Sequence, residues 1–150
     1  MSEPGCQIVR TLDVVGEKWS LLIVRNALRG QTRFTQFRDQ LGIPSDILSA
    51  RLARLVEAGV LERRQYREPG SRERSSYHLT ESGRGLRLVL AAMMQWSDEY
   101  RPAPQGVAAV VADPAGEALR LGFVDESGTV RDPAEAAIVP GPAATWRPEG

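Results

Sequence analysis

The sequence predicts a mainly α fold with a small β part, an α+β arrangement of five helices, one β-hairpin and a small C-terminal β-meander extension. Three observations predict it. Through the first 60 residues, apolar side chains recur at helical spacing in segments that each end at a glycine, namely Gly16, Gly30, Gly42 and Gly59. Two strand-like runs, 60–68 and 74–79, then flank a polar tip, Pro69-Gly70-Ser71-Arg72-Glu73. After residue 100 the composition shifts to Pro, Gly and acidic residues around short β-like runs.

The first helical segment, 4–15, carries Ile8, Val9, Leu12 and Val15 on one face. The second, 19–29, is apolar on most faces (Leu21, Leu22, Ile23, Val24, Ala27, Leu28), which predicts the central buried helix. The third, 33–41, aligns Phe34, Phe37 and Leu41, with Thr32 the expected N-cap. After Ile43-Pro44, Ser45 is the expected N-cap of a fourth helix that runs to Ala58. That helix buries Leu48, Leu52, Leu55 and Val56 and turns Asp46, Ala50, Ala53, Arg54 and Glu57 outward, with Ser49 at the margin. Two short helices joined by a glycine-bearing turn form a helix-turn-helix pattern, and a hairpin directly behind the second helix makes it winged. Thr80 is the expected N-cap of one long C-terminal helix reaching about Tyr100, with Leu86, Val89, Leu90, Met93 and Trp96 on an apolar face expected to make a dimer contact, the alternative being a core helix covered by the C-terminal tail. The expected organisation is a domain over 1–100, a linker over 101–106 and a small acidic β-rich extension over 107–150. Its strands are placed at 107–112, 118–124 and 137–139, with turns at Asp113-Pro114-Ala115-Gly116 and Glu126-Ser127-Gly128.

Lys+Arg and Asp+Glu both number 19, yet the two parts differ: residues 1–101 hold 16 basic and 12 acidic side chains, and residues 102–150 hold 3 and 7. Between Arg25 and Arg87 the basic excess grows to 13 against 7, a footprint expected for a polyanion partner. Of the 19 basic residues in the whole chain 18 are Arg, Lys18 being the exception. No apolar run reaches the roughly 20 residues of a membrane span, and a basic, apolar leader is missing from the start, so a cytoplasmic location is expected. With Cys6 and His78 each the sole residue of its type, the chain offers no disulfide framework, Ser/His/acid set or Cys/His metal cluster. It also lacks a phosphate-binding glycine loop, so neither enzyme chemistry nor a cofactor is expected.

The ordered set of Cys6, Gly16-Glu17-Lys18-Trp19, Leu28-Arg29-Gly30, Arg33-Phe34, Phe37, Leu41-Gly42-Ile43, Leu48-Ser49-Ala50-Arg51-Leu52 and Tyr77-His78-Leu79-Thr80 with Gly83, Leu86 and Trp96 resembles the HxlR-type family of winged helix-turn-helix transcriptional regulators, within the MarR-like superfamily. It departs from that family at Ser75-Ser76, where Val-Glu is usual, and at Asp46 and Ala50, where longer polar side chains are common.

The resemblance implies a homodimer on double-stranded DNA, its two fourth helices entering successive major grooves about 34 Å apart on a near-palindrome. Base reading then falls to Ser45, Asp46, Ser49, Ala50 and Arg54, with Arg51 also within reach of guanine or phosphate. Arg33, Arg63, Arg64, Arg67, Arg72 and Arg74 are candidates for phosphates or a minor groove; alternatively Arg63 and Arg64 pair with Glu62, Glu68 or Glu73 across the hairpin. In some relatives the cysteine equivalent to Cys6 senses oxidants; here it either does so or helps to pack the first helix. A small-molecule effector of unknown identity, bound between the dimer helix and the helical core, is a further expectation. The competing reading is a winged-helix module that binds protein without specific DNA binding.

Overall fold

The computed structural model describes residues 5–150, which form two compact units, one ending at Leu90 and one running from Ala91 to Gly150. The expected helix start at Pro4 lies outside the described residues. The first unit contains α1 (Gln7–Val15), α2 (Lys18–Leu28), α3 (Phe34–Leu41), α4 (Ser45–Glu57), β1 (Leu61–Tyr66), β2 (Arg74–Leu79) and α5 (Glu81–Gly85). A further helix, α6 (Arg87–Tyr100), runs across the division between the units.

The core forms where the apolar spacing predicts it. Ile23 and Val24 of α2, Phe37 of α3, and Leu48, Leu52 and Leu55 of α4 have no exposed surface, and Val15, Ile43, Val60 and Leu61 join them. Each fully buried Leu or Ile contributes about 1.5–3 kcal/mol relative to exposure.

Local caps differ from expectation in three places. Gly16 ends α1 at φ −69, in the right-handed region and not the left-handed one. Arg33, not Thr32, is the N-cap of α3, and Gln36 reaches back to it, its Oε1 accepting from the N–H groups of both Thr32 and Arg33 at 3.0 Å. Ser45 lies in the first turn of α4, with Pro44 at the cap; the Pro44 carbonyl accepts from the Leu48 N–H at 2.9 Å.

β1 and β2 pair antiparallel from Leu61↔Leu79 to Tyr66↔Arg74. Leu61 is buried, so the hairpin is rooted in the core at one end while the loop beyond Tyr66 extends as a wing. A contact unforeseen in the sequence ties it back to α3. Arg33 forms an isolated antiparallel bridge with Ser76, and the Tyr77 N–H donates to the Thr32 carbonyl at 2.7 Å.

The single helix expected over 80–100 is divided into α5 and α6 at Leu86. Thr80 caps α5 as expected, its Oγ1 accepting from the Gly83 N–H at 3.1 Å and donating to the Gly59 carbonyl at 2.5 Å. Gly83 is seated against the Val60 backbone so closely that a Cβ there would overlap the Val60 carbonyl oxygen. Two glycines within five residues weaken the helix at this point. The turn brings Leu86 and Leu90 partly into the first unit's own core, which alters their expected role as surface available to a partner.

In the second unit, α6 exposes Met93, Trp96 and Tyr100, and the Trp96 and Tyr100 rings meet at a 45° tilt with centroids 5.7 Å apart. Of the expected meander, 107–112 and 118–124 meet only through an Ala112↔Ala118 bridge. A two-residue hairpin, β3 (Phe123–Val124) with β4 (Val130–Arg131), closes around Glu126-Ser127-Gly128; 137–139 is not a strand, and Pro133–Glu135 forms a 3-10 turn. Aspartates shape the two turns. Asp113 Oδ1 accepts from the N–H groups of Ala115 and Glu117, and Asp125 Oδ1 from those of Ser127 and Thr129. No helix among the described residues is long and apolar enough to cross a membrane.

Candidate nucleic-acid interface

The chain passes from α3 to α4 through Gly42, Ile43 and Pro44. Gly42 holds φ +64, a conformation that disfavours a side chain, and Ile43 drops into the core at 3% exposure. With Leu48, Leu52 and Leu55 locked inward, the opposite face of α4 presents Ser45, Asp46, Ser49, Ala50, Ala53, Arg54 and Glu57 to solvent. Apart from Arg54 and Glu57 these side chains are short, which lets the helix backbone approach a groove closely. Asp46 in the first turn also complements the positive end of the helix dipole.

Two arginines on α4 are tied to the α1–α2 corner. Arg51 donates from Nε to Glu17 Oε2 at 2.7 Å, and Arg54 donates from Nη2 to the Asp13 carbonyl at 3.0 Å. Glu17 is also the N-cap of α2, accepting from the Ser20 N–H at 3.2 Å. Desolvation opposes its ionisation, but the Arg51 hydrogen bond, those from the Trp19 and Ser20 amides and the Arg51 charge outweigh it and hold the Glu17 carboxyl below its ordinary range. On α2, burial and then the charge of Arg29 lower the pKa of Arg25 from its ordinary value.

The wing arginines separate by partner. Arg33 pairs with Glu68 at 2.6 Å and lies over the Tyr66 ring at 4.8 Å. Arg64 pairs with Glu62 at 3.1 Å along the same strand, not across the hairpin as the alternative to DNA contact had it. Arg67 donates to the Ser71 carbonyl at 3.0 Å and so braces the tip. Arg63, Arg72 and Arg74 are exposed and form no ion pair among the described residues. A groove of about 390 Å3 lined by Phe34, Thr35, Tyr66, Arg74 and Tyr77 separates the start of α3 from the hairpin. His78 Nε2 hydrogen-bonds the buried Ser76 hydroxyl at 2.9 Å, a structural role.

Sequence reasoning missed the tethers: Glu17 and the Asp13 carbonyl for α4, and Tyr66 with Glu68 for Arg33. The Glu17–Arg51 pair spans 34 positions, so no local pattern carries it. The available signal was Glu17 lying three residues before Ser20, where an N-cap acceptor belongs.

A helix-turn-helix whose second helix is bare along one face, backed by a two-stranded wing, defines a winged helix-turn-helix protein. The HxlR-like helix-turn-helix family model matches residues 14–105, and the chain belongs to that family. The HTH-type transcriptional regulator Rv3095 of Mycobacterium tuberculosis is 47% identical over 102 residues, covering 68% of this chain and 63% of that protein. The match therefore spans less than two thirds of the relative's length. Among solved structures, the proposed transcription factor PA1607 superposes with a TM-score of 0.78 at 35% identity, covering 91% of this chain and 95% of that one. The redox regulator HypR in its oxidized form gives a TM-score of 0.57 at 30% identity, over 65% of this chain and all of that one. The family and these relatives belong to transcriptional regulation, not to enzyme catalysis.

Proposed function

We propose that the chain is a DNA-binding transcriptional regulator that acts as a homodimer on a near-palindromic operator. The observation that carries this reading is the exposed, short-side-chain face of α4 beside a wing whose Arg63, Arg72 and Arg74 form no ion pair among the described residues. In this reading Ser45, Asp46, Ser49 and Ala50 meet base edges: the hydroxyls donate or accept, Asp46 accepts from a cytosine amino group, and Ala50 meets a thymine methyl. Arg72 and Arg74 neutralise phosphates, and Arg33 and Arg67 join them from the edge of the wing. Arg51 serves chiefly to hold α4 in place, and Arg54 divides its reach between the Asp13 carbonyl and the DNA.

Val89, Met93 and Trp96, exposed on α6, belong to the dimer interface, with Leu86 and Leu90 shared between that interface and the core. Two inputs fit the same reading. Cys6, half-buried at the N-cap of α1, is a candidate for oxidation, a proposal supported by the likeness to a regulator named for redox control. An open groove of about 420 Å3 along α1, lined by Arg10, Val14, Val60 and Leu86 among others, offers apolar walls and one cation to an anionic effector. The location that goes with this function is the cytoplasm.

The test is fluorescence anisotropy of the reduced protein on duplexes tiled from the intergenic DNA flanking its own gene, at two salt concentrations. Tight binding to one tile that weakens steeply with salt is expected. Absence of any salt-dependent binding at low ionic strength overturns the proposal in favour of a protein-interaction module.

A further inference from the structure

We propose that Glu68 is an internal counter-ion that Arg33 must exchange for a DNA phosphate, which holds duplex affinity below what the arginines of the wing would otherwise give; the inference rests on the DNA-binding reading above. Arg33 Nη1 lies 2.6 Å from Glu68 Oε1, and the same guanidinium covers the Tyr66 ring at 4.8 Å. Tyr66 and Arg74 are opposite each other in the β1–β2 ladder, and opposite residues of an antiparallel pair share a face. Arg33 therefore brings a second guanidinium to the face of the wing that carries Arg74, and Glu68 cancels its charge there.

Each partner is placed by backbone that does not depend on the pair. Glu68 opens a turn with Pro69 and Gly70 at its centre; Gly70 takes φ +77, and the Ser71 N–H donates to the Glu68 carbonyl at 3.0 Å. Arg67 braces the same turn through the Ser71 carbonyl. On the other side, Arg33 bridges Ser76, the Tyr77 N–H donates to the Thr32 carbonyl, and Gln36 accepts from the Arg33 N–H. The hairpin thus stays docked on α3 without the ion pair, and rotation of the Glu68 side chain alone is enough to release Arg33.

The pair is about half exposed, its side chains retaining 45% and 52% of their accessible surface. An ion pair in that setting adds little to stability and is weak enough to be exchanged. Its consequence is electrostatic. A guanidinium bonded to a carboxylate brings no net charge to a phosphate, and phosphate contacts dominate duplex affinity and its salt dependence. When Arg33 moves to a phosphate, the cation released from the DNA is offset by the one that the freed Glu68 attracts. In the wild-type chain Arg33 therefore adds almost nothing to the salt slope, whereas Arg72 and Arg74, which form no ion pair among the described residues, each add a full contact.

The test is fluorescence anisotropy of the reduced full chain on a random-sequence duplex over a salt series. It compares wild type, Glu68→Gln, Arg33→Ala and the double variant, with circular dichroism melts to check that each keeps its fold. The amide of Glu68→Gln keeps the size of the carboxylate and removes only its charge. That variant is expected to bind about three- to tenfold tighter than wild type at low salt, and to steepen the slope of log affinity against log salt by about 0.9, the increment of one phosphate. In the Arg33→Ala background the same substitution is expected to gain about twofold or less, because the two residues act as one unit. A gain that persists in full without Arg33 shows Glu68 repelling phosphates by itself and overturns the exchange. Unchanged affinity and slope in Glu68→Gln overturn it too, while salt-dependent binding by the wild type leaves the DNA-binding reading standing. A wild type with no salt-dependent binding overturns both.

Discussion

Replacing Glu17 by Gln isolates the charge that ties the recognition helix to the rest of the domain. The amide keeps the size of the carboxylate and an oxygen able to cap α2 at the Ser20 N–H, but the ion pair with Arg51 is lost. A well-shielded charge-assisted hydrogen bond contributes about 1.5–3 kcal/mol. Here the Arg51 and Glu17 side chains are 28% and 37% exposed, so solvent screening reduces the expected loss to about 1 kcal/mol. For a domain of this size that lowers Tm by roughly 4–8 °C at neutral pH. The sign of the pH dependence follows from the carboxyl's lowered pKa. A group held below its unfolded value stabilises the folded state fully above that unfolded value and loses the contribution as pH falls through the folded one. The gap between wild type and Glu17→Gln is therefore full at pH 7, narrows below about pH 4.3, and closes in stronger acid. Thermal melts followed by circular dichroism from pH 7 down to pH 3 measure it. Equal melting temperatures at pH 7, or a gap that persists unchanged in acid, would refute the assignment of Glu17 as an ionic tether.

Other substitutions test other parts of the molecule. Arg72→Ala and Arg74→Ala should each weaken duplex binding across sequences and reduce the slope of log affinity against log salt by about 1, measured by anisotropy; unchanged affinity removes the wing from the interface. Two glycines of α5 should respond with opposite signs: Gly83→Ala forces a Cβ onto the Val60 carbonyl and should cost about 1–3 kcal/mol, whereas Gly85→Ala meets nothing within 4 Å and should gain up to about 1 kcal/mol in denaturant melts. Oxidant should change DNA affinity in wild type but not in Cys6→Ser; the same response in both proteins eliminates Cys6 as the sensor.

The helices were legible because their signal is periodic and local. Ile23, Val24, Phe37, Leu48, Leu52 and Leu55 all fall where the 3.6-residue spacing of apolar side chains puts them, and burial follows from that spacing. The hairpin was legible because strand-forming runs flank a turn-forming tip. Thus the sequence by itself determined that there is a helix-turn-helix with a wing, and which face of α4 stays outside.

Tertiary structure decided the rest, since the deciding contacts join residues that no local pattern relates. Gly83, in the short helix before the division at Leu86, is packed against the Val60 backbone, a contact between residues on opposite sides of the hairpin. The fate of each arginine was likewise set by distance in space. Arg51 and Arg54 resemble Arg72 and Arg74 in the sequence, but the fold brings Glu17 and the Asp13 carbonyl to the first two and leaves the second two facing solvent. A guanidinium is long and always charged, so its role depends on which acceptor lies within reach, and reach is a property of the packed chain.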